Sequence, residues 1–600
     1  MRYDEVVFAT RPELAGTFGM VASTHWLATS AGMAVLEDGG NAFDAAVATA
    51  FVLQVAEPHL NGPAGQVPAI FTTAADPNPR TLCGQGGAPS AATPEHFTGL
   101  GLELIPGSGL LPATVPGAWD AWLLLLRDYG TKSLRTVLRY AIGYASDGVP
   151  LVRRARDTIG AVAELFHGHW PDSAALWLDG TQPTSATLHR NPALVRTWLR
   201  LLAEAEAAPG GREAQLDAAR VAWSQGFVAE AVDTFARRAF RDDTGHDHAG
   251  LLTGDDMARW QASYEDALIT DFGDWSLVKC GAWTQGPVLA QQLRLLDEFR
   301  ADLAYVDGVP TERTVHLATE CAKLAFADQE AFYGDSPDVP LRTLLSSDYA
   351  RTRAALVGEH ACGQLRPGSP DGRAPRLPAI LERTRDASGA GGALGEPTVR
   401  PTGQTNGDTV HIDVVDAAGN MISATPSGGW LQSSPTIGEL GFALDTRGQM
   451  FWLEPGLANS LAPGKRPRIT LSPSMALRDG EPVLAFGTPG GDQQDQWQLC
   501  FWLARMLGGL NLQEAIDAPA WHTTAVPSSF APRSFHPREL VAESRLGPAT
   551  LRALDARGHD VVDAGSWALG RLSAVSREVE TGMLRAAANP RGMQGYAVGR

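Results

Sequence analysis

The chain has 600 residues, of which 44% are hydrophobic and 19% charged, a composition typical of a globular protein with a large core. Its 49 basic and 67 acidic side chains give a formal charge of −18, which argues against a nucleic-acid partner and an anionic membrane surface. No run reaches the ~18 uninterrupted apolar residues that a membrane span needs. The N-terminus shows no secretory signal, so we expect a cytoplasmic protein.

Nothing in the sequence indicates a metal or a cofactor. The five cysteines form no CxxC pair, so neither a disulfide framework nor a zinc site is expected. His246 and His248 lie beside acidic residues in a Gly-containing loop, a pattern more typical of a solvated turn than of a metal site.

The first two thirds of the chain predict strands followed by long helical segments. Residues 19–23 predict a strand, 24–57 a buried helical pair, and 66–83 two strands joined by a Pro-rich turn. The segments with helical periodicity beyond these are 119–127, 134–145, 192–208, 213–239, 288–299 and 312–332.

The amino-acid composition changes at residues 366–408, where Pro, Gly, Arg and Thr dominate and no hydrophobic periodicity remains. We interpret the stretch as a linker or mobile loop, and its length calls for a functional or processing explanation. The part that follows is rich in strands, predicted at 409–416, 421–425, 441–446, 470–478 and 482–487, with a helix at 492–507.

Thr409 opens the first of these strands. The run 407–416 (GDTVHIDVVD), a Gly419-Asn420 turn and the apolar run 421–424 predict a β-hairpin. If the bond before Thr409 is cut, its free amine can act as base for its own hydroxyl. An ordinary strand threonine is the alternative.

The segment 487–494 (GTPGGDQQ) precedes an apolar helix. Consecutive glycines at a helix start expose backbone N–H groups with the positive end of the helix dipole behind them, which suits a developing oxyanion. The alternative is a simple Gly-Gly turn in which Asp492 serves as the N-cap.

Together, these segments and several others resemble the γ-glutamyltransferase family of N-terminal-nucleophile hydrolases. Several are scaffold glycines, but the ordered set is specific and spans nearly the whole chain. The segments are 19–23 (GMVAS), 39–47 (GGNAFDAAV), 327–328 (AD), 333–335 (YGD), 409–411 (TVH), 414–416 (VVD), 419–420 (GN), 465–467 (KRP), 471–473 (LSP), 489–491 (PGG) and 589–592 (NPRG).

The resemblance implies an α/β four-layer αββα sandwich made as one inactive precursor. Thr409 would attack the carbonyl of Asp408, leaving a large chain 1–408, which ends in the mobile stretch 366–408, and a small chain 409–600. The two fragments would associate as a heterodimer that acts on a small molecule.

In the mature enzyme that the resemblance implies, the Thr409 hydroxyl is the nucleophile and its α-amine the general base. Gly490 and Gly491 would hold the oxyanion. Ser427 falls where the family places a hydroxyl beside the nucleophile, although it also fits a turn serine before two glycines. His411 is expected to support the nucleophile structurally.

The sequence departs from the family at the residues that grip glutamate. An Arg that binds the α-carboxylate is replaced by Gln85, and a Ser pair by Ile469 and Thr470. Gly429 stands where the family has an Asn for the α-amino group, and Trp452, three residues after Gln449, where it has an Asp. Because losing a charge partner is costly, we do not expect glutathione to be the substrate.

The acyl pocket is expected to be open, because the segment 453–464, where many relatives carry a lid, is short. Phe451, Trp452 and Ile469 would favour an apolar or aromatic acyl group, with core packing as the alternative.

The leading hypothesis is therefore an autoprocessed threonine hydrolase or acyltransferase that cleaves an amide through an acyl-Thr409 intermediate, with a non-γ-glutamyl acyl group. Three alternatives stay open: γ-glutamyl transfer with rearranged contacts, cleavage of a carbon–carbon bond as in some relatives in antibiotic biosynthesis, and a non-catalytic homologue that acts as a binding module.

Overall fold

Two stacked antiparallel sheets form the centre of the computed structural model, which describes residues 8–385, 398–399, 401, 405–406, 409–592 and 594–600. Among these residues each sheet has seven strands. In spatial order the first sheet comprises Tyr596–Gly599, Gly19–Ser23, Ile412–Asp416, Met421–Ala424, Val67–Thr73, Asp76–Gly84 and Ser263–Asp266. The second comprises Leu14–Gly16, Leu584–Ala588, Ser573–Arg577, Glu481–Gly487, Ser474–Arg478, Trp275–Lys279 and Leu268–Phe272.

Three hydrophobic cores divide this arrangement into layers. The inner faces of the sheets meet in one core, to which the first sheet contributes Met20 and Val415 and the second Met475 and Val575. The outer face of the first sheet packs on the helices Trp26–Glu37, Ala42–Ala56, Ala118–Tyr129, Leu134–Asp147, Pro192–Ala207 and Arg212–Ser224. That of the second packs on Pro287–Asp297, Glu312–Phe332 and Gln494–Met506. The fold is the expected αββα sandwich.

Smaller elements surround the four layers. The remaining α-helices are Pro94–Gly99, Arg153–Ala161, Ala163–His169, Pro171–Trp177, Phe227–Ala236, Gly254–Arg259, Leu341–Leu344, Ser347–Ala354, Leu381–Thr384, Leu512–Asp517 and Pro548–Ala556. The small sheets pair Val149–Pro150 with Leu188–His189, Ala239–Arg241 with Asp247–Ala249, Tyr305–Val306 with Val309–Pro310, Thr398–Val399 with Thr405–Asn406, Thr436–Ile437 with Phe442–Ala443, and Trp521–Thr523 with Glu539–Ala542 and Asp560–Asp563.

The helix Ala42–Ala56 shows why the apolar sequence pattern there lacks a polar face. Every one of its residues is buried, because it lies between the first sheet and neighbouring helices. Asn41 starts it with a capping box, in which its side chain accepts from the N–H of Asp44 and Asp44 accepts from the N–H of Asn41.

Several predicted elements are shorter or divided in the structure, among them the strand predicted at 470–478, which is only Ser474–Arg478. Two others differ more. The segment 213–239 is not one helix but two, Arg212–Ser224 and Phe227–Ala236, because Gly226 between them is extended at φ −108° and ψ −150°. The strand predicted at 441–446 is only Phe442–Ala443. In both cases the hydrophobic pattern continues across a local change of backbone direction.

Residues 366–385 lie against the body of the protein. They are largely irregular, as predicted, but the N–H of Gly368 donates to Asp328 at 2.6 Å and the guanidinium of Arg376 donates to the carbonyl of Gly456 at 3.0 Å. The helix Leu381–Thr384 ends this part. Most of the stretch from 386 to 408 lies outside the described residues.

None of the helices in the described part of the chain combines the length and apolar character that crossing a membrane requires.

Candidate active site

Strand register brings the predicted site residues to one end of the sandwich. Ile412 pairs with Ser23 and Ala424, and Gly487 pairs with Ser573. The residues just before 412, just after 424 and just after 487 therefore lie at the same end. The two sheets touch there, because a Cβ on Gly487 would lie 2.3 Å from Cε1 of His411. Thr409, Ser427 and the 488–491 loop thus share this end, which we call the site end.

The strand that begins near Thr409 has one polar and one apolar face. Val410, Ile412 and Val414 belong to the core under the helices of the first sheet. Because side chains alternate along a strand, Thr409, His411 and Asp413 face the second sheet instead, and the side chain of Val415 joins the core between the sheets. Thr409 is 1% exposed.

His411 and Asp413 form a hydrogen-bonded network between the sheets. The imidazole Nδ1 lies 2.9 Å from Oγ1 of Thr425, and Nε2 lies 2.9 Å from Oδ1 of Asp413. The hydroxyl of Ser573 in the second sheet donates to Oδ2 of Asp413 at 2.8 Å. Both ring nitrogens of His411 are therefore engaged by groups other than Thr409, which fits a supporting role.

Ser427 lies beside Thr409 in an antiparallel bridge. Their hydroxyl oxygens are 3.4 Å apart, longer than an ordinary O–H···O bond. The backbone of Ser427 also exchanges hydrogen bonds of 3.0 and 2.7 Å with Gln66, so it is an extended residue and not part of a turn. The left-handed turn comes after it, at Gly428 and Gly429, with φ of 83° and 70°.

Gly490 and Gly491 both have left-handed backbones, with φ of 140° and 56°. At Gly490 a Cβ would lie 2.1 Å from the Trp497 ring, so only glycine fits without movement. The loop leads through the 3-10 turn Gly491–Gln493 into the helix Gln494–Met506. Backbone N–H groups at the start of a helix can stabilise negative charge, and that the N–H groups of Gly490 and Gly491 do so here stays a prediction.

Asp492 does not cap that helix. Gln493 occupies the N-cap position without a side-chain hydrogen bond. The buried carboxylate of Asp492 instead accepts from the N–H of Ser529 at 2.9 Å, and burial raises its pKa. The simple-turn alternative, with Asp492 as N-cap, is therefore wrong in this respect.

Gln85, Thr470 and Gly429 also lie at the site end, each just outside a strand or bridge. The amide nitrogen of Gln85 donates to the carbonyl of Gly86 at 2.9 Å. Neither Oε1 of Gln85 nor Oγ1 of Thr470, both buried, has a hydrogen-bond partner among the residues described. At Gly429 a Cβ would lie 3.2 Å from Cα of Gly62, so the backbone is closely packed there.

Trp452, Gln449 and Ile469 make contacts typical of core residues. The indole N–H of Trp452 donates to Glu330 at 2.6 Å, and the guanidinium of Arg533 lies 4.2 Å from its ring centroid. Nε2 of Gln449 donates to Oγ1 of Thr446 at 3.2 Å. Ile469 packs in the core between the sheets. That these side chains line an acyl pocket stays a prediction.

Phe451 and Asp408 are the remaining residues that were predicted from the sequence. Phe451 is fully buried in a small cluster with Phe97 and Leu111. Asp408, the predicted acyl side of the autocleavage bond, lies outside the described residues.

A largely buried group of polar and charged residues at the site end was not predicted from the sequence. It contains Glu57 and His59 from one loop, together with Arg154, Arg571 and Gln594, so four distant parts of the chain contribute. Only the tertiary structure brings them together, and no local pattern could have found them. Within the part of the chain that is described, no three His, Cys, Asp or Glu side chains are placed to hold a metal ion.

Comparison with known proteins gives the family. The model for gamma-glutamyltranspeptidase matches residues 28–599. A relative named oxamate amidohydrolase proenzyme, from Klebsiella pneumoniae subsp. pneumoniae, is 30% identical over 595 residues and covers 96% of this chain and 97% of its own. The solved structure of LmbA2991HD is 55% identical with a TM-score of 0.93 and covers 99% of this chain and 100% of its own. Cephalosporin acylase from Bacillus halodurans is 26% identical with a TM-score of 0.81, covering 100% and 99%. The chain belongs to the gamma-glutamyltranspeptidase family and is an enzyme of the N-terminal-nucleophile hydrolase type.

Proposed function

We propose that the protein is an autoprocessed amide hydrolase whose nucleophile is the hydroxyl of Thr409 and whose acyl substrate is not a γ-glutamyl group. The observation that carries this proposal is the position of Thr409. It is a buried threonine at the site end, next to the hydroxyl of Ser427 and in the same end of the sandwich as the Gly490 loop.

Autoprocessing releases the amine that the chemistry needs. The Thr409 hydroxyl attacks the carbonyl of Asp408, an N-to-O acyl shift gives an ester, and water hydrolyses the ester. Chains 1–408 and 409–600 stay together as a heterodimer, because Ile412–Asp416 from the small chain pairs with Gly19–Ser23 from the large one. Separation would break the sheet.

Turnover then uses the new N-terminus. The α-amine, a group whose pKa in model peptides is about 8, takes the proton of the Thr409 hydroxyl as its oxygen attacks the amide carbonyl. The backbone N–H groups of Gly490 and Gly491 stabilise the oxyanion. The ammonium returns the proton to the leaving amine, and water, activated by the same amine, hydrolyses the acyl ester.

The residues at the family's glutamate-binding positions support a different acyl group. Gly429 offers no side chain, and its packing against Gly62 leaves little room for one. The Trp452 indole already donates to Glu330. Gln85 and Ile469 carry no charge. Relatives named oxamate amidohydrolase and cephalosporin acylase show by their names that the family acts on acyl groups other than γ-glutamyl.

Purified protein is expected to give two bands on a denaturing gel, and Edman sequencing of the smaller one should begin at Thr409. The cut creates the amine that serves as base, so an uncut chain lacks the catalyst. A single intact 63.7 kDa band after long incubation would contradict the proposal and favour a binding module.

Simple acyl p-nitroanilides are expected to be turned over with a higher kcat/KM than γ-glutamyl p-nitroanilide, by at least about tenfold, because one missing charge contact is typically worth more than 1.4 kcal/mol. Release of nitroaniline measures both under identical conditions. Equal or faster turnover of the γ-glutamyl compound would show that the glutamate contacts have been rebuilt from other residues.

A further inference from the structure

Lys279 is a fully buried lysine at the site end of the second sheet. It ends the strand Trp275–Lys279, in which Leu277 packs under the helices and Val278 packs between the sheets. Because side chains alternate along a strand, Lys279 faces the helical layer, behind the space between the sheets where Thr409 lies. Its side chain is 0% exposed. An ammonium group removed from water in this way needs a partner within the protein.

The partner of Lys279 is Asp495, in the helix that follows the glycine loop. Nζ of Lys279 lies 3.1 Å from Oδ1 of Asp495, whose side chain is also 0% exposed. Asp495 belongs to the first turn of the helix Gln494–Met506. The ion pair therefore joins the end of a sheet strand to the start of the helix directly behind Gly490 and Gly491.

Ser472 and Ser474 extend this contact to the neighbouring strand. The ammonium of Lys279 donates to Oγ of Ser474 at 2.7 Å and to the carbonyl oxygen of Ser472 at 3.3 Å. The hydroxyl of Ser472 donates to Oδ1 of Asp495 at 2.7 Å, and its N–H donates to Oε1 of Gln494 at 3.2 Å. The ends of two adjacent strands thus hold the first turn of the helix through one group of atoms.

The start of this helix depends on tertiary contacts because it has no local cap. Gln493, at the N-cap position, makes no side-chain hydrogen bond. The two left-handed glycines before it have no side chains with which to fix their own position. Asp492 is held on one side by the N–H of Ser529 at 2.9 Å. Asp495 supplies the contact to the sheet on the other side.

A gain in stability is a weak explanation for an ion pair at this place. Burial lowers the pKa of Lys279 and raises that of Asp495, and the attraction between the two groups opposes both shifts. Each charge is therefore favourable only beside the other. Replacing a buried ion pair by apolar side chains of similar size is often neutral or stabilising. The pair is explained better by what it holds in place.

Lys279 also removes an electrostatic obstacle to an oxyanion. Asp495 comes directly after the 3-10 turn Gly491–Gln493. The positive end of the helix dipole favours a carboxylate there, but an unpaired negative charge would repel an oxyanion at the glycine N–H groups. An ammonium 3.1 Å from the carboxylate oxygen cancels that charge at short range.

We propose that Lys279 is a positioning residue for the Gly490 loop. Through Asp495 it fixes the start of the following helix, and it cancels the carboxylate charge behind the glycine N–H groups. The inference rests on the proposed function for the role of the loop in amide cleavage, whereas the tether itself does not depend on the reaction. Lys279 acts through Asp495 and takes no part in proton transfer.

Kinetics of Lys279→Met, Asp495→Asn and the double variant test the tether with a simple acyl p-nitroanilide. Lys279→Met is expected to lower kcat by about tenfold or more and to change KM by less than about threefold, because an oxyanion contact forms in the transition state. Asp495→Asn should lower kcat by about threefold to tenfold. Adding Lys279→Met to Asp495→Asn should change kcat by less than about twofold, since the lysine acts through the carboxylate.

Lys323→Met is the matched control. Lys323 is 4% exposed, and its Nζ lies 2.6 Å from Oε1 of Glu320 in the helix Glu312–Phe332. The control removes a buried lysine from another buried ion pair of the same helical layer. It should lower the melting temperature as Lys279→Met does and leave kcat unchanged.

Hydrogen exchange followed by mass spectrometry measures the tether without any reaction. Lys279→Met should speed amide exchange in peptides that cover 488–495 by about tenfold, and Lys323→Met should not. The double variant Lys279→Met with Asp495→Asn leaves neither charge unpaired. If Lys279→Met alone fails to fold, the double variant should still show the faster exchange and the lower kcat.

The outcomes separate the tether from the proposed reaction. Faster exchange at 488–495 in Lys279→Met, with no amide cleavage by the wild type, supports the tether and contradicts the reaction. Unchanged exchange overturns the tether even where amides are cleaved. An unchanged kcat in Lys279→Met, as in Lys323→Met, would show that Lys279 serves stability alone. Losses in kcat that multiply in the double variant would show that Lys279 does not act through Asp495.

Discussion

The Thr409→Ala variant is expected to remain a single full-length chain and to lose at least about 10⁴-fold in amide turnover, as expected when a nucleophile is removed from an acyl-transfer enzyme. The same hydroxyl cuts the precursor and attacks the substrate, so both readouts should fail together. Gel electrophoresis and nitroaniline release measure them on one preparation.

Two further variants make this result interpretable. Thr409→Ser keeps a hydroxyl and an α-amine and should retain measurable processing and turnover. Thr72→Ala removes another buried threonine of the first sheet, whose hydroxyl has no partner among the described residues, and should process normally. Processing of Thr409→Ala at the same bond, or an equal loss in Thr72→Ala, would exclude Thr409 as the nucleophile.

Gly490→Ala is the second substitution with a large expected effect. The added Cβ would lie 2.1 Å from the Trp497 ring, and φ of 140° is strained for any L side chain. The loop must therefore move, and displacing one oxyanion donor costs about 10² to 10³ in kcat. We expect that loss in turnover, slower precursor cleavage and a lower melting temperature.

Gly509→Ala is the matched control for this substitution. Gly509 also has a left-handed backbone, at φ of 66°, but no atom lies within 4 Å of its Cβ position. It should cost stability through backbone strain, about 1 to 2 kcal/mol, without changing kcat. If Gly490→Ala lowers the melting temperature as Gly509→Ala does and leaves kcat unchanged, the loop does not hold the oxyanion.

The proposals place the reaction and its selectivity in different parts of one site. Thr409 and the Gly490 loop come from neighbouring strands of the two sheets, so their mutual position is set by the rigid centre of the sandwich. The residues at the family's glutamate-binding positions, such as Gln85 and Thr470, lie just outside strands of the same end, where they can differ without a change in the central strands. Such a division fits a family whose members share a fold while their names indicate different acyl groups.

Alternation of polar residues could have indicated more of the site from the sequence alone. Thr409, His411 and Asp413 stand at every second position, and Ser423, Thr425 and Ser427 do so along the return strand and its continuation. This pattern is enough to predict a polar face between the sheets. It does not predict that Asp413 binds Ser573, because that contact joins strands far apart in the chain.

The sequence by itself determined the Thr409 hairpin and the glycine loop, because these depend on local periodicity and turn residues. Its ordered motifs determined the family resemblance, and only that resemblance implied the αββα layers. The tertiary structure alone decided which of the predicted residues meet. It placed Gly490 beside Trp497, and it directed the carboxylate of Asp492 to the N–H of Ser529 instead of to the start of the helix. Such contacts depend on how distant segments pack, and packing leaves no signature within either segment.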